Sequence, residues 1–153
     1  MTTKNVWRTL ITGACLVAAA VVAAPYVVVA LISESHIDAN VPSSQDFERY
    51  LVRDLQSYFQ SRFRRNVVVR YELLRAAPTQ GGVAYPKYYI WVKVFDGATL
   101  IEQGAGRLAA IDRSRFEVMQ FLTQREIVTA PAAVGQVFPQ GLVEDIVAKA
   151  RVS

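Results

Sequence analysis

The sequence predicts an α+β protein: a single N-terminal transmembrane helix, then one long helix packed on a four-stranded antiparallel meander, closed by short C-terminal helices. Three observations carry this reading. Residues 10–32 form an apolar run without a single charge. Phe47, Tyr50, Leu51, Leu55, Tyr58, Phe59 and Phe63 recur at the spacing of one helical face. Beyond them, stretches of alternating apolar and polar residues are separated by turns rich in Gly and Pro.

The run from Leu10 to Ile32 covers about 23 residues, roughly 34 Å of helix, which exceeds a hydrocarbon core of about 30 Å. Cys15 invites comparison with a lipidation site, but Thr12 stands where a leucine-like residue is wanted and the apolar run continues past the cysteine. Ala23 and Ala24 offer a signal-peptidase cut, yet Pro25 would follow the scissile bond and the run resumes through Tyr26. An uncleaved anchor is therefore expected. Lys4 and Arg8 precede it, Trp7 sits at its edge, and all 13 Asp and Glu residues follow Ile32. That asymmetry puts residues 1–9 in the cytoplasm. Ala14 and Ala18, Ala19 and Ala23, and Ala20 and Ala24 form small-xxx-small pairs that let a second membrane helix, from another subunit or another copy, approach closely; alanine as plain filler is the other reading. High alanine and arginine content points to a bacterial inner membrane, with the remaining chain in the periplasm.

Residues 33–43 read as a polar linker and 44–153 as the extracytoplasmic domain. Ser43 and Asp46 resemble a capping box opening the long helix, which runs to about Arg64 with Asn66 closing it. In "NVVVRYELLR", Val67, Val69, Tyr71 and Leu73 share one face, with Arg70 and Glu72 on the other. A loop containing Gly81 and Gly82 leads to "KYYIWVKVF", where Tyr88, Ile90, Val92 and Val94 face inward. Asp96-Gly97 supplies a tight hairpin turn. The third strand spans Thr99 to Ile111, with Gly104 and Gly106 marking a bulge or a close-lying helix. In the fourth, Phe116, Val118 and Leu122 are expected on one face. Thr123 and Glu126 make a second capping box, Pro131 and Pro139 suit the first turns of short helices, and in the last of these Glu144 and Asp145 lie early, Lys149 and Arg151 late.

Composition excludes several chemistries. Cys15 and His36 are the only residues of their kinds, so a disulfide, a Cys/His zinc cluster or a Cys–His nucleophilic pair cannot form within one chain. Removing Lys4 and Arg8 from the formal charge of +4 leaves about +2 on the rest, too little to argue for nucleic acid. Asp46, Asp54, Glu72, Glu102 and Glu117 are the carboxylates available for acid–base work, and several alternate with cations on the polar sheet face, where ion pairing explains them. No catalytic residue, cofactor or metal is expected.

Two surfaces are candidates for partner binding. Lys87, Tyr89, Trp91 and Lys93 alternate along the second strand opposite its inward face, interleaving rings with cations as interface anchors do. The competing reading is that the tail or the 78–86 loop folds over them as a second core layer. Arg49 and Arg53 lie one helical turn apart, a mutual repulsion that a partner or an anionic lipid headgroup would relieve.

The element order resembles the cystatin and NTF2 architectures, which implies a long helix lying across a curved sheet. One membrane span joined to such a domain is similar to the bitopic scaffold components of type IV secretion machines. That resemblance implies a non-catalytic accessory or scaffold subunit of a larger secretion, pilus, transport or respiratory complex, with the bilayer and neighbouring subunits as partners. The alternative is a periplasmic NTF2-like domain that binds a small ligand or acts as an enzyme, with a deep pocket holding an acid on the concave sheet face.

Overall fold

The computed structural model describes residues 40–80 and 84–152. The expected span 10–32, its alanine pairs Ala14, Ala18, Ala19, Ala20, Ala23 and Ala24, most of the 33–43 linker and the Gly81-Gly82 pair lie outside the described residues. Among those described, no helix is long and apolar enough to cross a membrane.

The first helix, α1 (Ser44–Phe63), begins where Ser43 Oγ accepts from the Asp46 N–H at 3.3 Å. Its inward stripe is Leu51, Leu55 and Phe59, each no more than 1% exposed. Arg64, not Asn66, ends it: Arg64 takes the left-handed conformation with φ 54°. The reversal must come this early because Val67 and Val69 are both buried, which fixes the phase of the strand that follows.

Four strands form a simple antiparallel meander: β1 (Val68–Leu73), β2 (Lys87–Asp96), β3 (Thr99–Asp112) and β4 (Arg115–Thr123), in that spatial order. The β2–β3 turn is one residue later than expected. Asp96 still pairs with Thr99, so Gly97 and Ala98 make the turn, and Gly97 alone carries the positive φ, 59°. A two-residue hairpin with a positive angle only at its first position needs glycine there.

Against one sheet face α1 builds the main core with Tyr88, Ile90, Val92 and Val94 of β2, Leu108 and Ala110 of β3, and Phe116 of β4. Rings interlock edge to face, with Phe47 5.0 Å from Tyr88 and 5.1 Å from Phe116, and Phe59 5.0 Å from Phe121. Edge-to-face contact between aromatic rings stabilises beyond simple area burial.

The phase of β4 departs from strict alternation. Arg107 pairs with Gln120 while Leu108 pairs with Val118, so Met119 is an extra residue bulging from the edge strand. Phe116 and Val118 face α1 as expected, but after the bulge that role passes to Phe121, and Leu122 turns to the opposite face. A one-residue insertion inverts every later side chain, because the strand repeat is two. Gly104 marks neither a bulge nor an approaching helix. A Cβ there would run into the Leu122 carbonyl oxygen and lie 2.9 Å from Thr123 Cα, so β4's own backbone occupies the space.

The tail comprises α2 (Gln124–Thr129), a 3₁₀ turn (Pro131–Ala133), α3 (Val134–Val137) and α4 (Gln140–Val152). In α4 the acids Glu144 and Asp145 fall after the first turn, which carries no acid, while Lys149 and Arg151 occupy the last. The second capping box forms in full at the start of α2: Thr123 Oγ1 accepts from the Glu126 N–H, and the Glu126 carboxylate accepts from the Thr123 N–H at 2.8 Å. The Thr123 hydroxyl also donates to that carboxylate at 2.8 Å, and the backbone bond first and this hydroxyl bond second hold the Glu126 carboxyl below the usual carboxylate range. A depressed folded-state pKa favours folding above the unfolded value, about 4.3 for Glu, and that contribution fades as pH falls through the folded value. Urea midpoints of the wild type and Glu126→Gln should therefore differ at pH 7, and the gap should shrink as the pH is lowered into the acid range where Glu126 takes up its proton. A constant gap between the two proteins would show that the charge of Glu126 is not what the cap uses.

Candidate functional site

The tail packs on the sheet face opposite α1. Tyr89, Trp91 and Ala105 form a second core there with Ile127, Val134, Phe138, Ile146 and Ala150. Three polar links hold this layer down. Gln103 Nε2 donates to Gln124 Oε1 at 2.8 Å, Gln124 Nε2 donates to the Ala150 carbonyl at 2.7 Å, and Arg107 Nη1 donates to the Val137 carbonyl at 3.2 Å.

This arrangement corrects the expected row Lys87, Tyr89, Trp91, Lys93. Tyr89 is buried beside Phe138, with its hydroxyl 2.6 Å from Thr79 Oγ1, and Trp91 is only 2% exposed. The aromatic members belong to the second core, and the tail rather than the 78–86 loop supplies most of the cover. Lys87 is half-buried, and desolvation first, then neighbouring Arg107, lowers its pKa. Lys93 alone of the four remains on the surface.

Around Lys93 the face is open. A cavity of 130 Å³ is walled by Arg70, Tyr71, Glu72, Trp91 and Lys93. The β1–β2 register sets Arg70 directly opposite Lys93, and Glu72 opposite Trp91. Glu72 is neutralised by Lys149 of α4 at 2.7 Å. Among the described residues, neither Arg70 nor Lys93 has a carboxylate partner; the Arg70 guanidinium stacks 5.2 Å above the Phe95 ring. Trp91 Nε1 is buried, with no acceptor among the described residues. Arg70 and Glu72 were legible only as polar-face residues. Their alignment with Lys93 and Trp91 depends on the length of the intervening loop, which periodicity does not report.

The second expected surface, Arg49 and Arg53, is tied into the fold. The two guanidiniums flank the Tyr50 ring at 4.7 and 4.9 Å, Arg49 pairs with Asp46 at 2.7 Å, and Arg53 pairs with Asp54 at 2.8 Å. Arg53 Nη2 also donates to the Ser114 carbonyl at 2.6 Å, and Asp54 Oδ2 accepts the Phe116 N–H at 2.7 Å. Internal partners thus relieve the repulsion, and Arg53 with Asp54 clamps the β3–β4 turn onto α1. Asp54→Ala should cost about 1–3 kcal/mol by stranding the Phe116 N–H, whereas Arg53→Ala, at an exposed position, should cost markedly less. Chemical denaturation of both variants checks this; equal losses would mean that Asp54 acts only as Arg53's counterion.

The other carboxylates are dispersed. Glu102 Oε1 accepts the Gln103 N–H at 3.0 Å, and no three of His, Cys, Asp and Glu come together among the described residues. A larger cavity, 370 Å³, opens between the end of β4 and α2, lined by Leu122, Arg125, Glu126, Thr129, Ala130 and Ala133. Its only acid is the capping residue Glu126. Comparison with known proteins returns no family model, no curated protein and no solved structure that matches this chain.

Proposed function

We propose that this chain is a non-catalytic, single-pass protein of a bacterial inner membrane, anchored by residues 10–32, whose periplasmic domain is a binding and assembly module of a larger membrane complex. The carrying observation is how the sheet's helix-facing side is used. Leu51, Leu55 and Phe59 of α1 fill the face where a ligand-binding or enzymatic cone of the NTF2 outline would keep its deep pocket. Two concavities among the described residues lie outside that core, beside Lys93 and beside α2. The cystatin-like and NTF2-like element order and the likeness to bitopic scaffold subunits support the same reading.

Fractionation tests it directly. The native chain should stay in membranes through a carbonate wash, retain its full intact mass, and migrate above monomer size on native gels after mild detergent extraction. A monomer freed by the wash and lacking its first residues defeats the proposal. A second reading rests on the 370 Å³ cavity near α2, which falls in the size range of small-molecule sites. Native mass spectrometry that finds a small molecule bound to a solitary chain would favour that reading instead.

A further inference from the structure

We propose that the cavity walled by Arg70, Trp91 and Lys93 is a carboxylate-recognition site that takes an acidic side chain from a partner polypeptide. This deepens the binding-module reading and rests on it. Like charges set directly opposite on one sheet face destabilise a strand pair, and Arg70 faces Lys93 without a carboxylate for either. The one acid on the wall, Glu72, is already matched by Lys149, so the remaining charge is positive. The Arg70 guanidinium lies over the Phe95 ring, and among the described residues no acid engages its donors.

Trp91 lines the cavity while only 2% exposed, so its ring reports on whatever fills that space. One wall therefore combines two cations that have no carboxylate among the described residues, and an incoming carboxylate satisfies both together.

Size and surroundings select the source. At 130 Å³ the cavity has room for about four waters, enough for one carboxylate group and too little for a cofactor or sugar ring. Two residues along the same face, Val68 is 52% exposed and pairs with Phe95, giving an apolar shelf next to the charge. Arg65, beyond it, is engaged with Asp96 at 2.6 Å and so does not compete for the ligand. An acidic residue followed by an apolar one in a neighbouring chain fits this pairing, and a free anion makes no use of the shelf.

The test uses the full chain in detergent micelles carrying Trp7→Phe, which leaves Trp91 as the sole indole. Its fluorescence is followed during titration with a capped Gly-Glu-Val-Gly peptide, its Gly-Gln-Val-Gly counterpart, and sodium acetate. A saturable change with the Glu peptide is expected, weakened at least tenfold in the Gln peptide and in acetate, and weakened as salt rises. Lys93→Gln, an exposed position whose folding is checked by circular dichroism, should lower affinity about tenfold. Equal binding of both peptides removes the carboxylate from the proposal, and acetate binding as tightly as the Glu peptide reduces the site to a free-anion site. No response to the Glu peptide at millimolar concentration overturns the site. None of these outcomes depends on whether residues 10–32 anchor the chain, which the carbonate wash decides separately.

Discussion

Replacing Phe59 with alanine is expected to lower the unfolding free energy by about 3–5 kcal/mol, the largest single loss available on α1. Phe59 is 1% exposed and meets Tyr58 at 5.0 Å, Phe63 at 6.2 Å and Phe121 at 5.0 Å, so truncation opens a void bordered by rings that cannot easily collapse into it. Because a domain of this size has only about 5–15 kcal/mol in total, the variant should sit near the edge of folding at 37 °C. Urea denaturation with an unchanged slope is the measurement. A loss below about 1 kcal/mol would mean that the helix does not seat on the sheet as described.

Gly104→Ala should be the most damaging conservative change in the sheet, at about 3 kcal/mol or more. The added methyl would meet the Leu122 carbonyl and Thr123 Cα, and both are backbone, so β3 and β4 must separate. Gly106 provides the control. There a Cβ meets the Ile90 side chain at 3.2 Å, and a side chain can shift by a few tenths of an ångström. Thermal melts should therefore rank Gly104→Ala well below Gly106→Ala, with amide exchange in Gly104→Ala accelerated at the end of β4 and the start of α2. Matching melting temperatures would contradict the close approach at Leu122.

Local signals in the sequence map onto the structure closely. The α1 stripe, the inward faces of β1 and β2, and the Thr123–Glu126 capping box follow from spacings of two, three or four residues, and each is present. What escaped depends on distant chain. Alternation in β2 separates Tyr89 and Trp91 from Ile90 and Val92, but it does not say whether the odd face meets water or protein; α2 to α4 decide that from more than thirty residues downstream. Met119 looks like any other strand residue until the register counts it as surplus. The candidate site was half legible for the same reason. Lys93 and Trp91 stood out within one strand, whereas their alignment with Arg70 and Glu72 is a property of strand pairing.

The Met119 surplus also shapes one free edge of the sheet. β4 is the outer rib of the meander, and among the described residues no strand lies against its far side. An uninterrupted rib would offer incoming chains a regular comb of amide donors and acceptors on which to stack without limit. Met119 breaks the comb's spacing mid-rib and twists its two halves out of line, so a second copy cannot zip along it. The bulge protects only this rib: β1, the opposite outer strand, runs in unbroken register and carries no such interruption.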